Sequence, residues 1–221
     1  FWEDWVSLIG AGLRSLRDMG SSRGNPGPDA AELSRRSLAW LIVLGTVPGV
    51  LAGYFLDDFF ERMFSRPVAA AAFLLVTAAL LVVSERVGRR ERELRELGWV
   101  DALVVGSGQA LAIFPGISRS GSTIAAGLVQ GMRREPAARF SFFLATPIIL
   151  GAGLLKVVEL GRMGGLRAQA PVLIAGFAAA AVVGFVCIHY LLQYLQHRRL
   201  YPFAVYCALF SVFSLLVSVV R

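Results

Sequence analysis

Five separate runs of this chain, roughly Leu38–Leu56, Pro67–Val83, Phe140–Val158, Pro171–Leu195 and Phe203–Val220, are each apolar over close to the length that a bilayer demands. A helix needs about 20 such residues to cross a hydrocarbon core about 30 Å thick. Lipid also tolerates only segments that satisfy their own backbone hydrogen bonds. The fold class that follows is all-α: a polytopic integral membrane protein of about five spanning helices. Composition agrees, because 56% hydrophobic residues, 17% charged residues and a mean hydropathy of +0.64 are too apolar for an ordinary soluble domain.

The net charge of +7 comes from 22 Lys and Arg against 15 Asp and Glu, and Lys156 is the only lysine. In a membrane chain such a surplus reports topology, and no nucleic-acid partner is expected. Cys187 and Cys207 both lie inside apolar runs, which supports neither a disulfide framework nor a thiolate metal site. The chain begins Phe-Trp-Glu-Asp without a signal-peptide pattern, and we expect further sequence upstream.

We read residues 1–221 as a single membrane domain with four parts. An interfacial helix and a cytoplasmic loop occupy 1–37, where Trp5, Ile9, Leu13 and Leu16 share one helical face and Asp29 and Glu32 stand at capping-box spacing. Two spans and an Arg/Glu-rich loop occupy 38–98, and three spans occupy 133–221. In the first span Gly45, Gly49 and Gly53 fall four apart, a ridge that predicts close packing of a neighbouring helix.

The remaining part, 99–132, breaks the pattern. An apolar arm (Val100–Phe114) meets Pro115-Gly116-Ile117-Ser118-Arg119-Ser120-Gly121-Ser122-Thr123, and a second arm runs from Ile124 to about Gln130. An arm of about ten residues reaches roughly 15 Å, half of a hydrocarbon core, so a re-entrant helix-loop-helix hairpin is expected. Charge distinguishes this from a straight crossing. Re-entry places 15 arginines on one side and 5 on the other, whereas a crossing weakens the split to 13 against 7. The positive-inside bias therefore favours re-entry and assigns the 15-arginine side to the cytoplasm.

An irregular loop at membrane depth must be buried in protein or line a wet cavity, and a guanidinium there calls for an anion or an aqueous path. Asp101 and Glu135 sit at the outer ends of the arms, far from Arg119. The loop suits phosphate. Arg119 offers a bidentate fork, and Ser118, Ser120, Ser122 and Thr123 offer hydroxyls. Gly116 and Gly121 let backbone close in, and the arm beginning near Ser122 points free N–H groups at the same spot.

The stretch Pro115–Thr123 resembles the P-G-x-S-R-S-x-x-T signature of the undecaprenyl-diphosphate phosphatase (bacitracin-resistance) family. Flanking stretches agree: Gly45 to Gly53 with Pro48, Gly106 to Gln109, Phe140 to Pro147, and Pro202 to Tyr206. The resemblance implies an inverted repeat of six spans and two re-entrant hairpins in the bacterial inner membrane, with a site open to the periplasm or exterior. It implies hydrolysis of a polyprenyl diphosphate to the monophosphate and inorganic phosphate, recycling the lipid carrier for cell-wall synthesis. It carries over Ser118, Arg119 and Thr123 as catalytic residues and Ser120 as a further phosphate contact, while the loop chemistry itself adds Gly116, Gly121 and Ser122 as substrate-binding residues. It also allows a divalent cation, Mg or Ca, as cofactor, and a homo-oligomer.

The chain departs from that pattern in two ways. The family's E-x-x-x-E pair and P-x-S-S-x-x-H motif do not occur between Phe1 and Arg221, so this chain alone is expected to be nearly inactive. Cys207 stands where the family commonly has Arg. No metal-ligand cluster is visible, His189 and His197 read as structural or interfacial, and Asp57 and Asp58 read as a solvated helix end. The competing expectation is a transporter or flippase of an anionic polyprenyl phosphate, because broken helices aimed at an anion are also a transporter design.

Overall fold

The structure, a computed structural model, describes residues 2–19, 29–64, 66–164 and 166–220. Among them are eight α-helices and a short 3-10 turn (Leu94–Glu96), and no strand. The helices are α1 (Trp2–Met19), α2 (Ala30–Phe64), α3 (Pro67–Val87), α4 (Trp99–Leu111), α5 (Arg119–Val129), α6 (Arg134–Arg162), α7 (Leu166–His197) and α8 (Tyr201–Val220). Five of them, α2, α3, α6, α7 and α8, are long and apolar enough to cross a membrane, as the sequence predicts. The first span starts earlier than the hydropathy alone indicates, since α2 begins at Ala30. Asp29 caps it by accepting the Glu32 N–H at 2.6 Å, one half of the expected capping box. The expected loop from residue 20 to 28 and the side chains of Asp57 and Asp58 lie outside the described residues.

Helix α1 lies across the body rather than through the bilayer. Its Asp4 pairs with Arg139 at the start of α6, and its Asp18 pairs with Arg36 near the start of α2, so both ends sit at the level of the basic loops. Leu8 and Ala11 face inward, and Trp5 packs edge-on against Phe143. Ile9, Leu13 and Leu16 remain exposed along an apolar hollow shared with α2, which suits a helix half immersed in lipid.

The core is a hairpin held between spans. Helices α4 and α5 pack on each other, and they are flanked by α2, α3 and α6. The glycine ridge on α2 functions where expected at two of its three positions. A side chain on Gly45 would press on the Ala102 carbonyl at 2.9 Å, and one on Gly106 opposite would meet the Gly45 carbonyl at 2.2 Å. Gly49 is closed in by Gln109 and Ile148, whereas Gly53 meets nothing within 4 Å, so the ridge ends one turn sooner than the sequence pattern.

Helix α8 runs antiparallel to α3. Ser211 donates to the Ala71 carbonyl at 2.5 Å, and the Leu200 N–H donates to Glu85 at 2.9 Å. Glu85 has no exposed side-chain surface and is the electrostatic hub of this end. Arg134 reaches both its oxygens at 2.7 and 2.8 Å, and Arg90 reaches one at 3.1 Å. Three helices and a loop are thereby tied to one carboxylate. In contrast, α7 packs on α6 and is otherwise almost wholly exposed.

Candidate active site

Re-entry can be read from contacts at the two ends of the hairpin. At its open end, Arg92 donates to both Asp101 oxygens at 2.9 and 2.7 Å, and to the Gln130 carbonyl at 2.9 Å. One guanidinium therefore holds the start of α4 and the end of α5 together, which a crossing segment could not allow. Burial pushes the Asp101 carboxyl up, but the Arg92 fork and the Gly98 N–H more than offset this, and its pKa lies below the usual carboxylate range. At the closed end, the tip meets α3 at Thr77, the middle residue of that span. The Ser118 N–H donates to the Thr77 hydroxyl at 3.0 Å, and that hydroxyl donates to the Gly116 carbonyl at 3.2 Å. The turn-back thus lies about halfway across the membrane domain.

Gly116 has a reason beyond flexibility. Its φ of +98° is left-handed, and a side chain there would lie 1.9 Å from the Ala70 carbonyl. Gly121 likewise sits against Ser118 and Thr77. Both glycines let the tip approach α3, where the sequence reading had backbone closing on a ligand.

Helix α5 begins at Arg119, three residues before the expected Ser122. Ser118 is its N-cap, with its hydroxyl accepting from the Gly121 N–H at 3.1 Å and lying 3.5 Å from the Ser120 hydroxyl. The N–H groups of Arg119 and Ser120 have no partner among the described residues. The positive end of the helix dipole and two free donors therefore coincide at the tip. The Arg119 side chain is half-buried, and no acceptor reaches its guanidinium among the described residues.

Two of the expected phosphate-facing hydroxyls are already committed. Ser122 donates to the Gly108 carbonyl at 2.8 Å and locks α5 to α4. Thr123 is fully buried, bonds the Arg119 carbonyl at 2.7 Å and lies 2.6 Å from the Ser141 hydroxyl of α6. These two set the position of Arg119. The hydroxyls left near the opening are those of Ser118 and Ser120. Thr77, Ser141 and Gln109 complete the polar set and lie outside the loop motif. Each is a polar residue inside an otherwise apolar helix, and Gln109 and Ser141 also stand in the flanking stretches that resemble the family.

The histidines are not brought to the tip. His189 contacts Gln193 on α7, and His197 lines a basic hollow with Arg133 and Arg134 at the opposite end. No imidazole or carboxylate bonds the loop 115–123, and no group of three His, Cys, Asp or Glu suited to a metal is found among the described residues. Cys207 is buried in α8.

The profile of the bacitracin resistance protein BacA matches residues 1–213. The chain belongs to this family. Among its relatives, an undecaprenyl-diphosphatase of Methanothermobacter thermautotrophicus is 49% identical, over 76% of this chain and 93% of its own length. An undecaprenyl-diphosphatase of Methanosphaera stadtmanae is 38% identical over the whole of this chain and 79% of its own length. One from Mycobacterium avium is 41% identical over 94% of this chain and 72% of its own length. The BacA family membership and the five helices long and apolar enough to span a bilayer agree on an integral membrane protein.

Proposed function

We propose that the chain hydrolyses undecaprenyl diphosphate to the monophosphate and inorganic phosphate within the membrane, recycling the lipid carrier. The observation that supports this most directly is a guanidinium without a partner among the described residues, at a helix N-terminus halfway into the bilayer domain. An amphiphile with a diphosphate head and an apolar tail meets both demands of such a place: the head supplies the missing anion and the tail stays in lipid.

The chemistry asked of the loop is electrostatic. Cleaving the bridging P–O bond shifts negative charge onto the leaving monophosphate and the non-bridging oxygens. Preorganised donors stabilise that charge without reorganising at the moment of reaction. Arg119 supplies a bidentate cation, the free N–H groups of Arg119 and Ser120 supply dipoles, and Ser118 and Ser120 supply hydroxyls. The loop's own donors do not fit a divalent cation, which prefers carboxylate and carbonyl oxygens and would meet the guanidinium's charge. Charge neutralisation is therefore assigned to Arg119 and the helix terminus. We place the protein in the bacterial inner membrane, with the basic end bearing Arg92, Arg133 and Arg134 on the cytoplasmic side and the Arg119 tip approached from the periplasm.

The test is phosphate release from a polyprenyl diphosphate in liposomes by the chain supplied with a hairpin bearing the family's E-x-x-x-E and P-x-S-S-x-x-H motifs, since residues 1–221 alone are expected to be nearly inactive. Arg119→Ala is expected to lose roughly 10²–10³-fold, the cost of one preorganised charge-stabilising donor. Release at the unaltered rate would rule out the clamp. Flux of an anionic polyprenyl phosphate without any phosphate release would favour a transporter instead.

A further inference from the structure

Gln109, on α4, is 3% exposed, yet neither its Nε2 nor its Oε1 has a hydrogen-bond partner among the described residues. Which way round the amide is turned is immaterial, since both atoms are orphaned. A buried amide without partners is costly in a folded protein, and native interiors keep few of them. The surroundings give Gln109 no packing reason to be polar: a side chain on Gly49 of α2 would lie 3.4 Å from its Nε2 and 3.0 Å from the Ile148 methyl of α6.

Helix register shows where this amide stands relative to the loop. Helices α5 and α6 run antiparallel, with Thr123 against Ser141 and Gly127 against Ala137. One turn nearer the tip, Arg119 therefore falls at the level of Ala145. Helices α2 and α6 run parallel, with Gly45 against Leu144 and Gly49 against Ile148, and Gln109 shares the Gly49 and Ile148 level. Ala145 and Ile148 are less than one helical turn apart, a rise of about 5 Å. The orphaned amide and the guanidinium, which is unpaired among the described residues, therefore lie at nearly one depth along α6.

We infer that Gln109 is a second contact to the diphosphate: its Nε2 donates to a non-bridging phosphoryl oxygen of the head group held by Arg119, and its Oε1 accepts from a water bound with it. This rests on the diphosphatase reading and names a residue that the loop motif leaves out. It also accounts for the polarity, since the amide loses its partners only until the head group arrives.

Gln109→Met keeps the volume and removes both polar atoms, and Gln109→Glu keeps the volume and opposes an anion. Each would be measured in the same hairpin-supplied protein for thermal unfolding without substrate, for KM and kcat on a polyprenyl diphosphate, and for the unfolding shift given by inorganic pyrophosphate. The expected result for Gln109→Met is an unfolding temperature equal to or above the unaltered protein, KM raised at least 10-fold and the pyrophosphate shift lost. Gln109→Glu should raise KM at least as far. An unchanged KM, or a lowered unfolding temperature with KM intact, would show that the amide serves an internal water or the helix contact and would overturn the inference. If the unaltered protein released no phosphate, the diphosphatase reading would fall, while the pyrophosphate shift would still decide whether Gln109 meets the anion.

Discussion

Arg119 and Arg92 occupy opposite ends of the same hairpin. Arg92 is saturated by two carboxylate oxygens and two carbonyls, whereas Arg119 has none of these among the described residues. Arg134, a few residues beyond the hairpin, is saturated in the same manner by Glu85. The cations at the open end staple helices together, and their charge is consumed in doing so. The cation at the tip keeps its valence. A buried pair offsets the desolvation of each partner only when both stay in place, so saturated ends are stable and inert, while the unsaturated tip holds its binding capacity in reserve for an anion.

The comparison breaks if the two kinds of site respond alike to mutation. The largest effect is expected from Glu85→Ala, which strands Arg134, Arg90 and the Leu200 N–H; a loss of about 3–5 kcal/mol is anticipated, read as a fall in unfolding temperature in detergent. Arg119→Ala should do the reverse, costing phosphate release while leaving the unfolding temperature unchanged or raised, because it removes a charge that nothing in the described chain compensates. A fall comparable to that of Glu85→Ala would mean that Arg119 is structural.

Thr77→Val probes how the tip is held. It preserves shape and strips two hydrogen bonds, from the Ser118 N–H and to the Gly116 carbonyl, so roughly 1–3 kcal/mol of stability should go. Activity should drop with it, since the N-cap that aims Arg119 loses its anchor. Unaltered activity would show that the tip is positioned by packing against α3 alone.

The smallest effect concerns pH at the open end. The Asp101 pKa is depressed in the folded chain, so its contribution to stability is complete above the unfolded value, near 3.9, and is lost as pH falls through the lower folded value. Unfolding temperatures of the unaltered protein and of Asp101→Asn should therefore differ at pH 5–7 and converge well below pH 4. A gap that persists at low pH would assign the contribution to shape rather than charge.

Much of the architecture was legible from the chain because a bilayer permits few solutions. Length and hydropathy locate the five spans, and the arginine count favours a turn-back over a crossing. The loop motif selects Arg119 for a reason that the structure repeats, a guanidinium without a carboxylate in reach. Legibility fails where a hydroxyl has two uses. Ser122 and Thr123 look like ligands in the motif, yet their protons go to the Gly108 and Arg119 carbonyls. Glycines at 116 and 121 promise room for a ligand and give it to α3 instead.

Period, length and charge asymmetry are properties of consecutive residues, and so the number of spans, the half-depth hairpin and the residue at its tip follow from the chain read in order. Which polar groups are spent and which stay free depends on neighbours that folding brings together, some from within 20 positions, as Gly108 and Ser141 are to α5, and some from 40 or more, as Thr77 is to Ser118 and Glu85 is to Arg134. Hydrogen-bond valence is counted in space. Only the tertiary structure could show that the serine and threonine lining the start of α5 are occupied, and that Gln109, unremarkable in its motif, is not.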